Sequence, residues 1–209
     1  MHTLDWKHAW TGRLLTTAPT RPQALKLLEP QLDSCNARLI GEVASGKLPF
    51  LNLPFRSSLT ARLKALTPQL RRFKHMVVLG IGGSALGPIA VHQALNHLHY
   101  NELQDSKRPG PKFYVEDNID PERMAALMDV IELDKACFCI ISKSGGTAET
   151  MSQYLIVTEA LKAQVGADWA KHIIAVTDHE KGNLIKLAKE NGFVTFYIPD
   201  GVGGRFSEM

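Results

Sequence analysis

The sequence predicts an α/β fold: a five-stranded, parallel, doubly wound (Rossmann-like) sheet with an N-terminal helical extension. From His75 onward, short β-favouring runs alternate with single helical patterns, which is typical of a parallel sheet whose crossovers are helices. The run at residues 136–141 is apolar without polar alternation, as expected for a strand covered on both faces. Glycine-rich loops follow the first and third runs, where open α/β sheets bind ligands.

The first 74 residues form a separate helical and extended segment in this prediction. Leucines recur at helical spacing over Pro22–Ile40, which predicts an amphipathic helix. The stretch Gly41–Arg56 contains glycine and prolines among apolar residues and is predicted to be an extended, anchored connection. Helical spacing returns over Leu59–Phe73.

Residues 75–209 carry the alternating pattern of the predicted sheet. Asp120, followed by Pro121, predicts a capped helix start. The predicted strands cover 76–81, 112–116, 136–141, 172–177 and 193–198, and the predicted helices between them cover 86–99, 121–131, 147–164 and 182–191.

Composition excludes some classes of function. The net charge is +3 with acids and bases interspersed, so no basic stripe for a nucleic acid is present. No secretory leader and no apolar run of about 18 residues appears, so a cytoplasmic protein without a membrane partner is expected. The odd number of cysteines, without metal-ligand spacing, predicts reduced, buried thiols at Cys35, Cys137 and Cys139.

The loop after the third predicted strand has the chemistry of an anion site. Ser142, Ser144 and Thr147 provide three hydroxyl groups within six residues. Gly145 and Gly146 let the backbone approach a ligand without a Cβ. A helix is predicted to start here, so free N–H groups and the positive end of the helix dipole would face the same place. These features predict a phosphate-binding loop.

The loop after the first strand, Gly80–Pro88 (GIGGSALGP), resembles part of a dinucleotide fingerprint. The fit is poor, because Glu116 and Asp117 are too far along the chain for the usual ribose-binding acid. We therefore expect no nucleotide cofactor. The two loops instead predict one small pocket at the carboxyl edge of the sheet.

Three stretches together resemble the phosphoglucose isomerase family, in the same order and at similar spacing. They are Gly80–Pro88, Ser142–Thr150 (SKSGGTAET) and Gly201–Ser207 (GVGGRFS). Two shorter stretches resemble the shorter bacterial branch of the family: Val115–Pro121 (VEDNIDP) and Thr177–Leu184 (TDHEKGNL). The likeness begins near residue 40 and continues through the rest of the chain.

The resemblance implies an aldose-ketose isomerase of glycolysis and gluconeogenesis. The family interconverts glucose 6-phosphate and fructose 6-phosphate without cofactor or metal, on two sugar-isomerase (SIS) subdomains, and normally as a homodimer. On this resemblance residues 75–209 are the first SIS subdomain, and the second SIS subdomain is absent. The chain is then expected to be an incomplete enzyme.

The resemblance also assigns site residues. It places substrate binding on Gly83, Ser84, Ser142, Lys143, Ser144, Gly145, Gly146, Thr147 and Gly204, and catalysis on Arg205. The hydroxyls of Ser142, Ser144 and Thr147 would clamp the phosphate. The guanidinium of Arg205 would stabilise the negative charge of the enediolate. Gly146 stands where the family usually has threonine, which implies a less ordered loop, and Glu149 is expected to support the loop from the first helical turn.

Other catalytic groups of the family have no match here. Its base glutamate, ring-opening histidine and terminal lysine all lie later in the family's sequences. The histidines His92, His97 and His99, predicted on a helix, and His172, predicted to open a strand, match no catalytic position and are expected to be structural or exposed. The isolated chain is therefore expected to be inactive.

Two alternatives remain open from the sequence. One is a stand-alone SIS module that senses or regulates through phosphosugar binding without catalysis, although Arg205 would have little use in such a module. The other is a different phosphosugar isomerase or a domain like that of glucosamine-phosphate synthase, which would share the phosphate loop but not all three motifs.

Overall fold

The computed structural model describes residues 21–202 and divides the chain into two compact units, Met1–Leu48 and Pro49–Met209. In the first unit, helix α1 covers Arg21–Ala44, which confirms the predicted N-terminal helix. The predicted boundary between residues 1–74 and residues 75–209 stays a prediction.

The predicted extended connection over Gly41–Arg56 is wrong at both ends. Helix α1 continues through Gly41 to Ala44, and Pro49–Phe55 forms a 3-10 helix. A glycine costs a helix only about 1 kcal/mol, so Gly41 does not have to end it. Pro49 is the first residue of the 3-10 helix, where no backbone N–H donor is needed.

The second unit is a five-stranded parallel sheet with strand order β2-β1-β3-β4-β5. This confirms the predicted fold class. Its strands are β1 (His75–Leu79), β2 (Lys112–Glu116), β3 (Ala136–Ser142), β4 (Ile173–Thr177) and β5 (Val194–Tyr197). Its helices are α2 (Ser57–Leu70), α3 (Gly83–Leu95), α4 (Pro121–Val130), α5 (Ala148–Val165) and α6 (Asn183–Asn191).

The main hydrophobic core lies on the face of the sheet covered by α4, α5 and α6. It contains fully buried side chains from β3, α5 and α6, among them Phe138, Leu161 and Leu184. Burying side chains of this size contributes roughly 1.5–3 kcal/mol each.

The predicted cap of α4 is confirmed, because the Asp120 carboxylate accepts hydrogen bonds from the N–H groups of Glu122 and Arg123.

Helices α2 and α3 lie on the opposite face of the sheet. Leu66 and Leu70 of α2 pack against a smaller cluster that includes Phe73, Cys137 and Phe196. The chain moves in one direction across the sheet from β1 to β2 and in the opposite direction from β2 to β3. Because such crossovers are right-handed, their helices α3 and α4 lie on opposite faces of the sheet. An open apolar groove of about 440 Å³ remains between α2 and strands β3 to β5.

Helix α3 begins and ends earlier than the predicted range 86–99. It ends at Leu95, and Asn96 is extended (φ −112°, ψ 170°) with its side chain 3.1 Å from Nδ1 of His92. This bond joins two side chains, and the extended backbone of Asn96 ends the helix. His97 and His99 therefore lie outside the helix, which corrects their predicted position.

His172 ends the 3-10 turn that precedes β4 and does not open the strand. Its Nδ1–H donates to the carbonyl of Ala136 at 2.8 Å. This contact agrees with a structural role.

The cysteines differ from one another in burial. Cys137 is buried, and burial raises the pKa of its thiol, whereas Cys139 is partly buried. The prediction of a buried thiol is wrong for Cys35, because its position on α1 is exposed.

Within residues 21–202 no helix is long and apolar enough to cross a bilayer, and no group of acidic, histidine and cysteine side chains could hold a metal ion.

His75, the first residue of β1, is a buried histidine with 4% of its surface exposed. Neither of its ring nitrogens has a hydrogen-bond partner among the described residues. Burial lowers the pKa of His75 below 6.5, as do the charges of Lys112, Lys74 and Arg108, while Glu132 opposes them. The folded protein therefore holds this ring neutral.

This burial predicts a stability that falls in mild acid. Well above the ordinary pKa of 6.5, His75 is neutral whether the chain is folded or unfolded, and it adds no pH dependence. As the pH falls below that value, the unfolded chain binds a proton that the folded chain excludes. The free energy of unfolding then falls by at most about 1.4 kcal/mol per pH unit, until the pH reaches the folded-state pKa.

The free energy of unfolding of His75→Leu can be measured by urea unfolding between about pH 5 and 7. In this variant the fall in stability caused by protonation of His75 should be absent. A matched change at the exposed His97, His97→Gln, should behave like the wild type. If His75→Leu and the wild type shared one pH profile, the buried ring would not be the cause.

Candidate functional site

Three hydroxyl groups converge where β3 ends and α5 begins. The Oγ of Ser142 lies 3.1 Å from Oγ1 of Thr147, and the Oγ of Ser144 lies 3.4 Å from the same atom. Thr147 is the N-cap residue of α5, yet its hydroxyl makes no capping hydrogen bond and faces the two serines instead. The hydroxyls predicted to act together are therefore neighbours in space.

The backbone of this loop, residues 142–147, also offers donors. The first intrahelical bond of α5 runs from Met151 N–H to Thr147 C=O, so the N–H groups of Ala148, Glu149 and Thr150 have no carbonyl within the helix. These amides and the positive end of the helix dipole lie beside the hydroxyls. Such an arrangement favours an anion, and a phosphate in particular.

Gly145 shapes the loop. Its N–H donates to the carbonyl of Ser142 at 3.1 Å, and its φ of +63° is one that glycine adopts readily. Gly146, where the family has threonine, has open space around the position of a Cβ. A side chain could therefore be accommodated at Gly146 without displacing its neighbours.

The first glycine loop lies beside this site, because β1 and β3 are adjacent strands. Gly80 is so close to its neighbours that a Cβ there would lie 2.9 Å from Cβ of Ser84 and 3.2 Å from the carbonyl oxygen of Ile141. Gly83 and Ser84 begin α3 and are both buried. The two predicted loops therefore meet at the carboxyl edge of the sheet.

The remaining predicted site residues divide into two groups. Lys143 is half-buried within the loop, and Glu149 is half-buried in the first turn of α5, as predicted. Gly204 and the predicted catalytic Arg205 lie outside the described residues. The roles assigned to all of them stay predictions.

The last residue of β2, Glu116, has a buried side chain. Glu116 is 7% exposed, and its Oε2 lies 3.2 Å from Nε of Arg123. Burial raises the pKa of Glu116, and the charge of Arg123 opposes that rise. The Glu116 carbonyl accepts the N–H of Gly80 at 3.3 Å and the side-chain amide of Gln153, also at 3.3 Å, so this end of β2 supports the first glycine loop.

The segment 178–184 was not predicted to belong to this site, although it lies within a stretch that resembles the family. Three backbone N–H groups of this segment, those of Asp178, Asn183 and Leu184, donate to carbonyls of the loop 142–147. The available signal was Gly182, a glycine between charged and polar residues directly before α6.

The comparisons with known proteins agree with this architecture. A family model described as phosphoglucose isomerase matches residues 64–209, more than half of the chain. Glucose-6-phosphate isomerase of Carboxydothermus hydrogenoformans is 58% identical over 166 residues, which are 78% of this chain and 36% of that protein. An enzyme of the same name from Thermus thermophilus is 33% identical over 194 residues, 91% of this chain and 44% of that protein.

Solved structures agree as well. The crystal structure of a hypothetical protein from Thermus thermophilus matches 90% of this chain and 43% of its own, with a TM-score of 0.77 and 32% identity. A glucose-6-phosphate isomerase from Chlamydia trachomatis matches 68% of this chain and 25% of its own, with a TM-score of 0.55 and 28% identity. The chain thus spans less than half the length of each of these proteins.

Proposed function

Because the chain belongs to the phosphoglucose isomerase family, we propose that it forms the phosphosugar-binding first half of a glucose-6-phosphate isomerase. The observation that carries this proposal is the convergence of three hydroxyls at the N-terminus of α5. They lie at the carboxyl edge of a parallel sheet, where ligands bind in this class of fold.

The substrate in this proposal is glucose 6-phosphate or fructose 6-phosphate. The phosphate accepts hydrogen bonds from the hydroxyls of Ser142, Ser144 and Thr147, and its charge is favoured by the free amides of α5. The sugar extends towards Gly83 and Ser84 on the neighbouring loop. This orientation fixes the reacting carbons relative to the phosphate, which is how a binding loop contributes to catalysis.

Catalysis needs more than this half provides. Isomerisation moves a proton between C1 and C2 and therefore requires a general base. Arg205 would stabilise the developing enediolate, but the base glutamate, ring-opening histidine and late lysine belong to a second SIS subdomain in the family. We propose that such a subdomain completes the active site in a cytoplasmic homodimer, without metal or cofactor.

Calorimetric titration of the 209-residue chain tests the binding function. Glucose 6-phosphate and fructose 6-phosphate should both bind, and glucose should not, because the loop recognises the phosphate group. Equal responses to glucose and glucose 6-phosphate, or no response to either phosphosugar, would contradict the proposal.

A further inference from the structure

The segment 178–184, here called the latch, packs directly against the phosphate loop 142–147. The N–H of Asp178 donates to the carbonyl of Lys143 at 3.3 Å. The N–H groups of Asn183 and Leu184 both donate to the carbonyl of Gly145 at 3.0 Å. The latch therefore donates hydrogen bonds to the carbonyls of Lys143 and Gly145, which are two residues apart in the loop.

These bonds set the direction of two N–H groups on the ligand side. In a trans peptide the C=O and the following N–H point in opposite directions, and the described residues contain no cis peptide. A Lys143 carbonyl that faces the latch therefore directs the Ser144 N–H away from it. In the same way, the Gly145 carbonyl faces the latch and directs the Gly146 N–H away from it. The Gly146 nitrogen lies 3.3 Å from Oγ of Ser144, so this N–H faces the hydroxyl cluster.

Gly182 lies against the loop so closely that no Cβ fits there. A Cβ at Gly182 would lie 2.1 Å from the carbonyl oxygen of Ser144 and 2.9 Å from Cα of Gly145. Both neighbours are backbone atoms, so a side chain cannot be accommodated by a change of rotamer. Gly182 also has a φ of +93°, a value that residues with a Cβ rarely adopt.

The latch is ordered by its own contacts. The carboxylate of Asp178 accepts hydrogen bonds from the N–H groups of Glu180 and Lys181, both at 2.8 Å. These bonds lower the pKa of Asp178, so the turn is formed by an ionised side chain. The bonds close the turn that brings Gly182 against the loop.

We propose that the latch positions the phosphate loop, with Gly182 as the positioning residue that orients the N–H groups of Ser144 and Gly146 towards the ligand. The inference deepens the proposed function and rests on it. Any side chain at Gly182 separates the latch from the loop and frees the Lys143 and Gly145 carbonyls. The two peptides can then rotate, and their N–H groups no longer face the phosphate together.

The test compares Gly182→Ala with Gly192→Ala in the 209-residue chain. Gly192 lies at the other end of α6 with a φ of +72°, and the position of its Cβ is open. Both variants place alanine at a positive φ, with more strain at Gly182 (ψ 172°) than at Gly192 (ψ 33°), and only Gly182→Ala displaces the loop. Calorimetry should show glucose 6-phosphate binding weakened about tenfold or more by Gly182→Ala, and binding within about twofold of the wild type for Gly192→Ala.

Amide hydrogen exchange without ligand tests the latch by itself. In Gly182→Ala the amides of Asn183 and Leu184 should exchange faster relative to those of β3, and in Gly192→Ala they should not. Should Gly182→Ala fail to fold, Asp178→Ala opens the same turn without a clash and should shift exchange and affinity in the same directions.

Unchanged exchange and unchanged affinity in Gly182→Ala would overturn the positioning role. A wild-type chain that does not bind the phosphosugar would overturn the proposed function, and the exchange measurement would still decide whether the latch holds the loop.

Discussion

Thr147→Ala is expected to weaken the binding of glucose 6-phosphate roughly ten- to a hundredfold. The Thr147 hydroxyl lies within 3.4 Å of both serine hydroxyls and makes no capping bond to its own helix. The substitution therefore removes the proposed phosphate donor without uncapping α5. A hydrogen bond to a charged group contributes about 1.5–3 kcal/mol, which corresponds to that loss of affinity.

Ser152→Ala provides the matched control for this prediction. Ser152 lies on the same helix, but its hydroxyl donates to the carbonyl of Ala148 at 2.9 Å and belongs to no site contact. Calorimetry should give this variant the affinity of the wild type. Equal affinity in Thr147→Ala and the wild type would remove Thr147 from the site.

The second large effect is expected in catalysis. The purified 209-residue chain should bind 6-phosphosugars but should not isomerise them above background. Loss of a general base alone lowers a rate by about 10²- to 10⁴-fold, and the proposal also assigns the ring-opening group to the second subdomain. The measurement couples glucose 6-phosphate formed from fructose 6-phosphate to its dehydrogenase.

A chimera tests the same prediction in the positive direction. Residues 1–209 of this chain, followed by the remaining C-terminal part of the Carboxydothermus hydrogenoformans enzyme, should isomerise fructose 6-phosphate. Arg205→Ala in the chimera should reduce kcat strongly and weaken substrate binding less, because the arginine acts on charge that develops in the transition state. Turnover by the isolated chain that is abolished by Arg205→Ala would contradict the need for a second subdomain.

Local patterns were sufficient to predict most of the fold. The apolar runs that became β1 and β3 have no polar alternation, and this property depends only on burial on both faces of a parallel sheet. The cap at Asp120 is also local, since Pro121 follows it directly. The hydroxyls of Ser142 and Thr147 were predicted together because they are five residues apart and flank a helix start.

Some missed features depend on contacts distant in sequence, and others on helix ends that residue spacing does not determine. The role of Gly182 follows from its approach to Ser144, which is 38 residues away in the sequence, and no spacing rule predicts that approach. The predicted end of α3 was too late because Leu98 continues the helical spacing of Leu95, whereas the backbone of Asn96 is extended. Proline at Pro49 predicted irregular structure, although short 3-10 turns accept it.

We propose that the loop 142–147 binds the phosphate of a 6-phosphosugar. Two-dimensional ¹H–¹⁵N NMR of the 209-residue chain, titrated with glucose 6-phosphate and separately with glucose, tests it most directly. The amide signals of Ser144, Gly146 and the first turn of α5 should move with glucose 6-phosphate and remain in place with glucose. Signals that move equally with glucose, or that move only outside this loop and helix start, would contradict phosphate binding by this loop.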